Sequence, residues 1–89
     1  MFYPFLTLPD ETEIVHSELK DDDTVEVYIE TPIDGGFKNA YCTLPNYRWH
    51  DVTGYSSEEI QSFQEIIEST AHLILEYSQT GGFGNAANL

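Results

Sequence analysis

The stretch from Tyr55 to Gln79 constrains the chain most, because its apolar spacing reads as one long amphipathic helix. Ile60, Phe63, Ile67, Ala71 and Ile74 recur at steps of three and four and form one stripe. Glu65, Glu68 and Glu76 lie opposite that stripe. The start is marked chemically. Ser56 stands at the N-cap position with Glu59 three residues later, so the two side chains bond reciprocally to each other's backbone N–H. Tyr55 and Ile60 have the spacing of a hydrophobic staple. Glu58 and Glu59 place negative charge at the positive end of the helix dipole. Gly81 and Gly82 supply the left-handed residue that commonly ends a helix.

Toward its C-terminal half the apolar arc widens, around Ala71-His72-Leu73-Ile74-Leu75. A helix lying on one sheet needs an arc of roughly 100°. The excess has two readings. Either N-terminal strands wrap this end, or Leu73, Leu75 and Tyr77 face a partner or a second copy of the chain.

What precedes the helix reads as strands. Phe2 to Leu8 is the first, with Pro4 forcing an edge position because it cannot donate to a ladder. Leu8-Pro9-Asp10-Glu11 is a turn. Glu13 to Leu19 is a second strand of mixed alternation, for which Val15, Ser17 and Leu19 are expected inward and Ile14, His16 and Glu18 outward. Thr24 to Thr31 is the clearest strand, Val25, Val27 and Ile29 alternating with Glu26, Tyr28 and Glu30. Residues 32–37 are expected as a return loop, and Lys38 to Leu44 as the next strand. Tyr47 to Val52 is a short edge piece whose Trp49 should cover one end of the core, its indole N–H finding a carbonyl.

Register follows from the pattern. Facing Ile29 with Ala40, Val27 with Cys42 and Val25 with Leu44 makes one side wholly apolar, and a slip of one residue would mix the faces. The other side then pairs Glu30 with Asn39, Tyr28 with Tyr41, and Glu26 with Thr43. The expected fold is therefore α+β: a small antiparallel β-meander of three to five strands packed by one C-terminal amphipathic helix. Residues 1–81 form a single domain and 82–89 a flexible C-terminal tail.

Charge narrows the function. Sixteen acidic residues stand against three Lys and Arg, a net charge of −13. Phosphate binding requires cations, so direct contact with nucleic acid or an anionic membrane is not expected. A basic protein partner is. The alternative is that the charge serves only solubility. A lone cysteine, Cys42, allows no internal disulfide and suits a reducing compartment, so a cytoplasmic location is expected.

Catalytic patterns are absent. Cys42 has Ala40 and Leu44 as its neighbours by strand period and reads as a small core residue. His16, His50 and His72 fall on different elements without ligand spacing, and Asp21-Asp22-Asp23 lacks the glycine and bidentate glutamate of a calcium loop. Gly35-Gly36-Phe37-Lys38 lacks the context of a phosphate loop. No enzyme activity, cofactor or metal is expected.

The leading reading is a non-catalytic interaction domain, a neutraliser of a basic partner with antitoxin-like logic. Its expected surface is Tyr28 and Tyr41 (with Tyr47 a further candidate) among Glu26 and Glu30, together with the helical Leu73, Leu75 and Tyr77. Two alternatives are a nucleic-acid mimic, with carboxylates along one continuous face from Glu58, Glu65, Glu68 and Glu76 together with strand or turn acids, and a homo-oligomer of structural role built through the helix.

Overall fold

A computed structural model describes residues 1–80. The expected tail and the glycines proposed to end the helix lie outside the described residues. Five strands, β1 (Phe2–Thr7), β2 (Glu13–Ser17), β3 (Val25–Ile33), β4 (Gly36–Leu44) and β5 (Arg48–Thr53), precede one helix, α1 (Ser57–Thr80). The strands form an antiparallel sheet in the order β1-β2-β3-β4-β5. It is a meander with the helix packed across one face, the α+β architecture expected of strands followed by one helix.

The β3–β4 hairpin forms in the expected register, with Val25 opposite Leu44, Val27 opposite Cys42 and Ile29 opposite Ala40. These six side chains are fully buried and make the inner face. Phe63, Ile67 and Ile74 of α1 close over them, flanked by Ile60, Ile66 and Leu75. The hairpin runs further than the pattern suggests. Pro32 pairs with Phe37 and Ile33 with Gly36, so the expected six-residue loop shrinks to a turn at Asp34-Gly35. Gly35 takes φ 81°, the left-handed conformation a tight Asp-Gly turn requires. Pro32 is tolerated because β2 pairing stops at Glu30, so no neighbouring strand needs its missing N–H.

The expected facing of β2 holds for Leu19, which packs against the core, and for the exposed Glu18, but is wrong for Ile14, Val15 and His16. Ile14 lies opposite Ile29 and His16 opposite Val27, which puts both in the core, while Val15 lies opposite Tyr28 on the other face. His16 is wholly buried between the rings of Tyr3 and Phe5. Its Nδ1–H donates to the Ser17 carbonyl at 2.8 Å, and among the described residues its Nε2 has no hydrogen-bond partner. The cause is register. Pairing with β3 sets Ile14 and His16 against the apolar Ile29 and Val27, and period-two alternation then sends Val15 to the other face.

The helix begins as expected. The Ser56 backbone N–H donates to Glu59 Oε1 at 2.9 Å, and the Glu59 N–H donates to Ser56 Oγ at 3.1 Å. Tyr55 packs edge-on against Phe63 at 5.0 Å between centroids. A chain of hydroxyls anchors this junction. Thr12 and Thr31 share a hydrogen bond at 2.6 Å, Thr31 and Tyr55 share one at 2.7 Å, and the Tyr55 hydroxyl also donates to the Lys38 carbonyl at 3.3 Å. Every member satisfies another, so Thr12 is buried without an orphaned oxygen. Near the other end of α1, the Leu19 N–H donates to the Ser78 carbonyl at 3.0 Å. Trp49 packs against the core and its indole N–H finds the side-chain carbonyl of Gln64 at 3.0 Å.

Ile67 sits at the centre of the helix–sheet contact with no exposed surface. Replacing it with alanine removes buried methylenes and leaves a cavity, so Ile67→Ala is expected to lower the unfolding free energy by about 2–5 kcal/mol in urea titrations. Val52→Ala, on the exposed edge of β5, is expected to change it by no more than about 0.5 kcal/mol.

Candidate interaction surface on the open face of the sheet

Alternation sends Glu26, Tyr28 and Glu30 to the face away from the helix, and the β3–β4 register sets Thr43, Tyr41 and Asn39 beside them. On β5, His50 lies opposite Tyr41 and Arg48 opposite Thr43, so both join this open face. On β1, Phe2 lies opposite Ser17 and leans over the small side chains of β2. Four rings then form a row across the sheet. Phe2 and Tyr28 stand 6.0 Å apart, Tyr28 and Tyr41 4.8 Å, and Tyr41 and His50 5.3 Å with their planes only 13° apart. Each spacing is within the range of favourable aromatic contact. The expected Tyr28–Tyr41 pair is thus the middle of a longer row. Tyr47 is not part of it, since it turns to pack against the core.

His50 ends the row between two carboxylates. Its Nε2 meets Glu26 Oε1, and its Nδ1 meets Asp51 Oδ2 at 2.9 Å. Thr43 donates its hydroxyl to the second oxygen of Glu26 at 2.6 Å, so a carboxylate only 9% exposed has both oxygens engaged. The Asp51 contact requires a departure from regular strand geometry, because adjacent side chains on a strand point to opposite faces. Between the pairs Asn39–Thr53 and Tyr41–His50, β5 carries one residue more than β4. Asp51 occupies this bulge at φ 53°, and the bulge swings its carboxylate back to its neighbour. The hydrogen bond with Asp51 and the attraction of Glu26 together hold the His50 proton above the usual imidazole range, against the smaller opposing effect of burial. Burial, then hydrogen bonding to Glu30 at 2.8 Å, pushes the Tyr28 hydroxyl up to about 12, so Tyr28 remains a neutral donor.

Two shallow depressions flank the ring row. One, of about 480 Å³, lies at the end of the face where the β2–β3 and β4–β5 connections meet, and is lined by Lys20, Arg48 and His50 together with the carboxylates of Asp22 and Glu26. The other, of about 320 Å³, lies at the opposite end and is lined by Glu11, Glu13, Glu30, Pro32 and Phe37. Glu13 and Glu30 stand directly opposite each other on paired strands.

The remaining candidates are dispersed. Leu73, Leu75 and Tyr77 are half-buried on α1, and Phe5 packs on Tyr77 at 6.2 Å, so strand β1 does wrap part of the wide apolar arc. Glu58, Glu65, Glu68 and Glu76 are exposed on the helix. His72 is exposed on α1, far in kind from the buried His16 and the ion-paired His50. Among the described residues no group of three or more His, Cys, Asp and Glu side chains is arranged to hold a metal ion. Cys42 is fully buried, and burial pushes its thiol up to about 12, away from the thiolate a nucleophile requires. No helix among the described residues is long and apolar enough to cross a membrane. Comparison with family models, curated proteins and solved structures found no match to this chain.

The His50 arrangement has a measurable signature. In Asp51→Gly, which keeps the left-handed backbone available, the His50 titration followed by NMR is expected to move down toward the ordinary imidazole value. Because the folded-state value is raised, the stabilisation His50 supplies is complete below the unfolded-state value and is lost as pH rises through the folded one. The stability difference between the native chain and His50→Gln is therefore expected to be larger at pH 5.5 than at pH 8.5, as read from urea midpoints.

Proposed function

We propose that this chain is a non-catalytic interaction domain that docks a basic protein through the open face of its sheet. The observation that carries this reading is the ring row Phe2–Tyr28–Tyr41–His50, left uncovered on the layer opposite the helix. Tyrosines with large planar area and few rotatable bonds are favoured anchors at interfaces. Here they stand among carboxylates in a chain of net charge −13. That field draws cationic surfaces and speeds their encounter, while the rings supply short-range contact. Neutralisation of a basic partner is the role this combination suits.

A mimic of nucleic acid draws less support. It requires one continuous line of carboxylates, but Glu58, Glu65, Glu68 and Glu76 are exposed on α1 while Glu11, Glu13 and Glu30 belong to the opposite layer.

The test is capture from native lysate at low and high salt. A basic protein that is retained at low salt and released at high salt is the expected result. A Tyr28→Ala/Tyr41→Ala double variant, checked for folding by circular dichroism, should weaken that binding by about tenfold or more, the effect of losing interface anchors. Retention unchanged in the double variant would overturn the assignment to this face, and a partner insensitive to salt would overturn the charge argument.

A further inference from the structure

One imidazole on the open face serves two carboxylates. Glu26 Oε1 reaches His50 Nε2 from β3, and Asp51 Oδ2 reaches His50 Nδ1 at 2.9 Å from the next position of β5. The other groups facing the ring are Tyr41, stacked on it from β4, and the Thr43 hydroxyl at 3.3 Å from Nε2. Arg48 lies two residues back on β5, and Lys20 and Asp22 line the same depression from the β2–β3 connection. Among the described residues the ion pairs of the ring are with Glu26 and Asp51. A count of protons decides what this arrangement can be. A neutral imidazole has one N–H and presents a lone pair on its other nitrogen, whereas an imidazolium has two N–H donors. Both contacts are therefore attractive only while His50 is protonated. The Asp51 hydrogen bond first, and the attraction of Glu26 after it, accordingly hold that proton above the usual imidazole range.

When the proton leaves, one carboxylate loses its donor, and burial decides which. The Glu26 side chain is 12% exposed, with the Thr43 hydroxyl on its second oxygen. A buried oxygen left without a donor bears its full desolvation penalty. The Asp51 side chain is 77% exposed, so water replaces the imidazole there at little cost. The remaining N–H therefore stays on Nε2 toward Glu26, and the lone pair on Nδ1 then faces Asp51 and repels it. Asp51 stands at φ 53° in the bulge of β5, the last strand of the sheet, so its carboxylate can swing outward without breaking a ladder on the far side.

We infer that His50 is a proton-operated gate on the open face: protonated, it occupies Glu26 and Asp51 as an internal cation, and deprotonated, it releases the Asp51 carboxylate to pair with a lysine or arginine of the docked partner. This rests on the interaction-domain reading and adds its regulation. The imidazole ends the row of rings that the partner covers, stacked on Tyr41 with the planes 13° apart. A cation laid over that end meets either the imidazolium or the freed carboxylate. The first brings like charges together and the second brings opposite ones together. Binding of a basic partner therefore tightens as pH rises through the His50 titration. By reciprocity, the bound partner lowers the pH at which His50 gives up its proton. The other two histidines stand elsewhere, His16 buried in the core and His72 exposed on the helix.

The probe is a tetralysine peptide blocked at both ends, whose charge stays constant between about pH 5.5 and pH 8.5. Its affinity, read from amide chemical shifts in NMR titrations, is expected to be about fivefold higher at the upper pH than at the lower, the small end of the usual coupling between two sites. That difference should vanish in His50→Gln and persist in His72→Gln, while Tyr28→Ala/Tyr41→Ala should weaken binding at both pH values. In the free protein, imidazole nitrogen shifts at the upper pH should place the remaining proton of His50 on Nε2. Equal affinity at the two pH values, a pH dependence that survives His50→Gln, or a neutral ring protonated on Nδ1 overturns the gate. If the double tyrosine variant still loses the peptide, the docking reading stands without the gate, and if it binds the peptide unchanged, both readings fall. A peptide that binds at neither pH also overturns the gate, because a freed Asp51 then attracts no cation, and the lysate capture decides the docking reading on its own.

Discussion

The structure depends first on the apolar match between β3 and β4. Three side chains from each strand meet on one face, and a slip of one residue would mix polar groups into it. Once this pairing forms, everything else acquires a side. The helix stripe of Phe63, Ile67 and Ile74 has a surface to cover, and Ile14 finds the same layer when β2 joins. The alternate side chains, Glu26, Tyr28, Glu30, Tyr41 and Thr43, are left on the open face by geometry alone. The surface proposed for function is thus the complement of the core.

Polar groups complete what apolar burial begins. The hydroxyl chain Thr12–Thr31–Tyr55 ties the β1–β2 turn, the third strand and the start of the helix into one junction. The Leu19–Ser78 backbone bond holds the other end of the helix against the β2–β3 connection. Such bonds contribute modest net energy each, about 0.5–1.5 kcal/mol, but their larger role is to prevent buried donors and acceptors from being orphaned. His16 is the exception, with one ring nitrogen unmet among the described residues. Its burial follows from register, since β2 cannot place Ile14 inward without placing His16 inward too.

The distribution of cations is equally instructive. A chain with so few of them places one across the layers to the helix and keeps two at one end of the open face. The imidazole between Glu26 and Asp51 adds a third positive group beside that end when protonated. The face consequently runs from a depression of mixed charge, over aromatic rings, to an acidic one. The interaction proposed here uses the net charge for encounter and the rings for contact.

Features set by neighbours in the chain are legible in the sequence. The Ser56–Glu59 capping box spans three residues, and the helix stripe needs only its own periodicity. The β3–β4 register and the Tyr28–Tyr41 pair were legible because both strands alternate cleanly and are joined directly. The facing of β2 was not, because Ile14 and Val15 compete for the core from adjacent positions and only pairing with β3 decides between them. The reach of the hairpin through Pro32 was obscured by a residue that usually stops a strand, and that is harmless here because β2 does not extend to its other side. The His50 site was the least legible. Glu26 and His50 lie twenty-four residues apart, and Asp51 reaches the ring only through a bulge that no local pattern announces. The sequence by itself therefore determined the elements, the central register and the sign of the charge, all of which depend on local periodicity and composition. Only the tertiary structure decided which polar and charged groups meet, because that is fixed by strand order and by one extra residue in an edge strand.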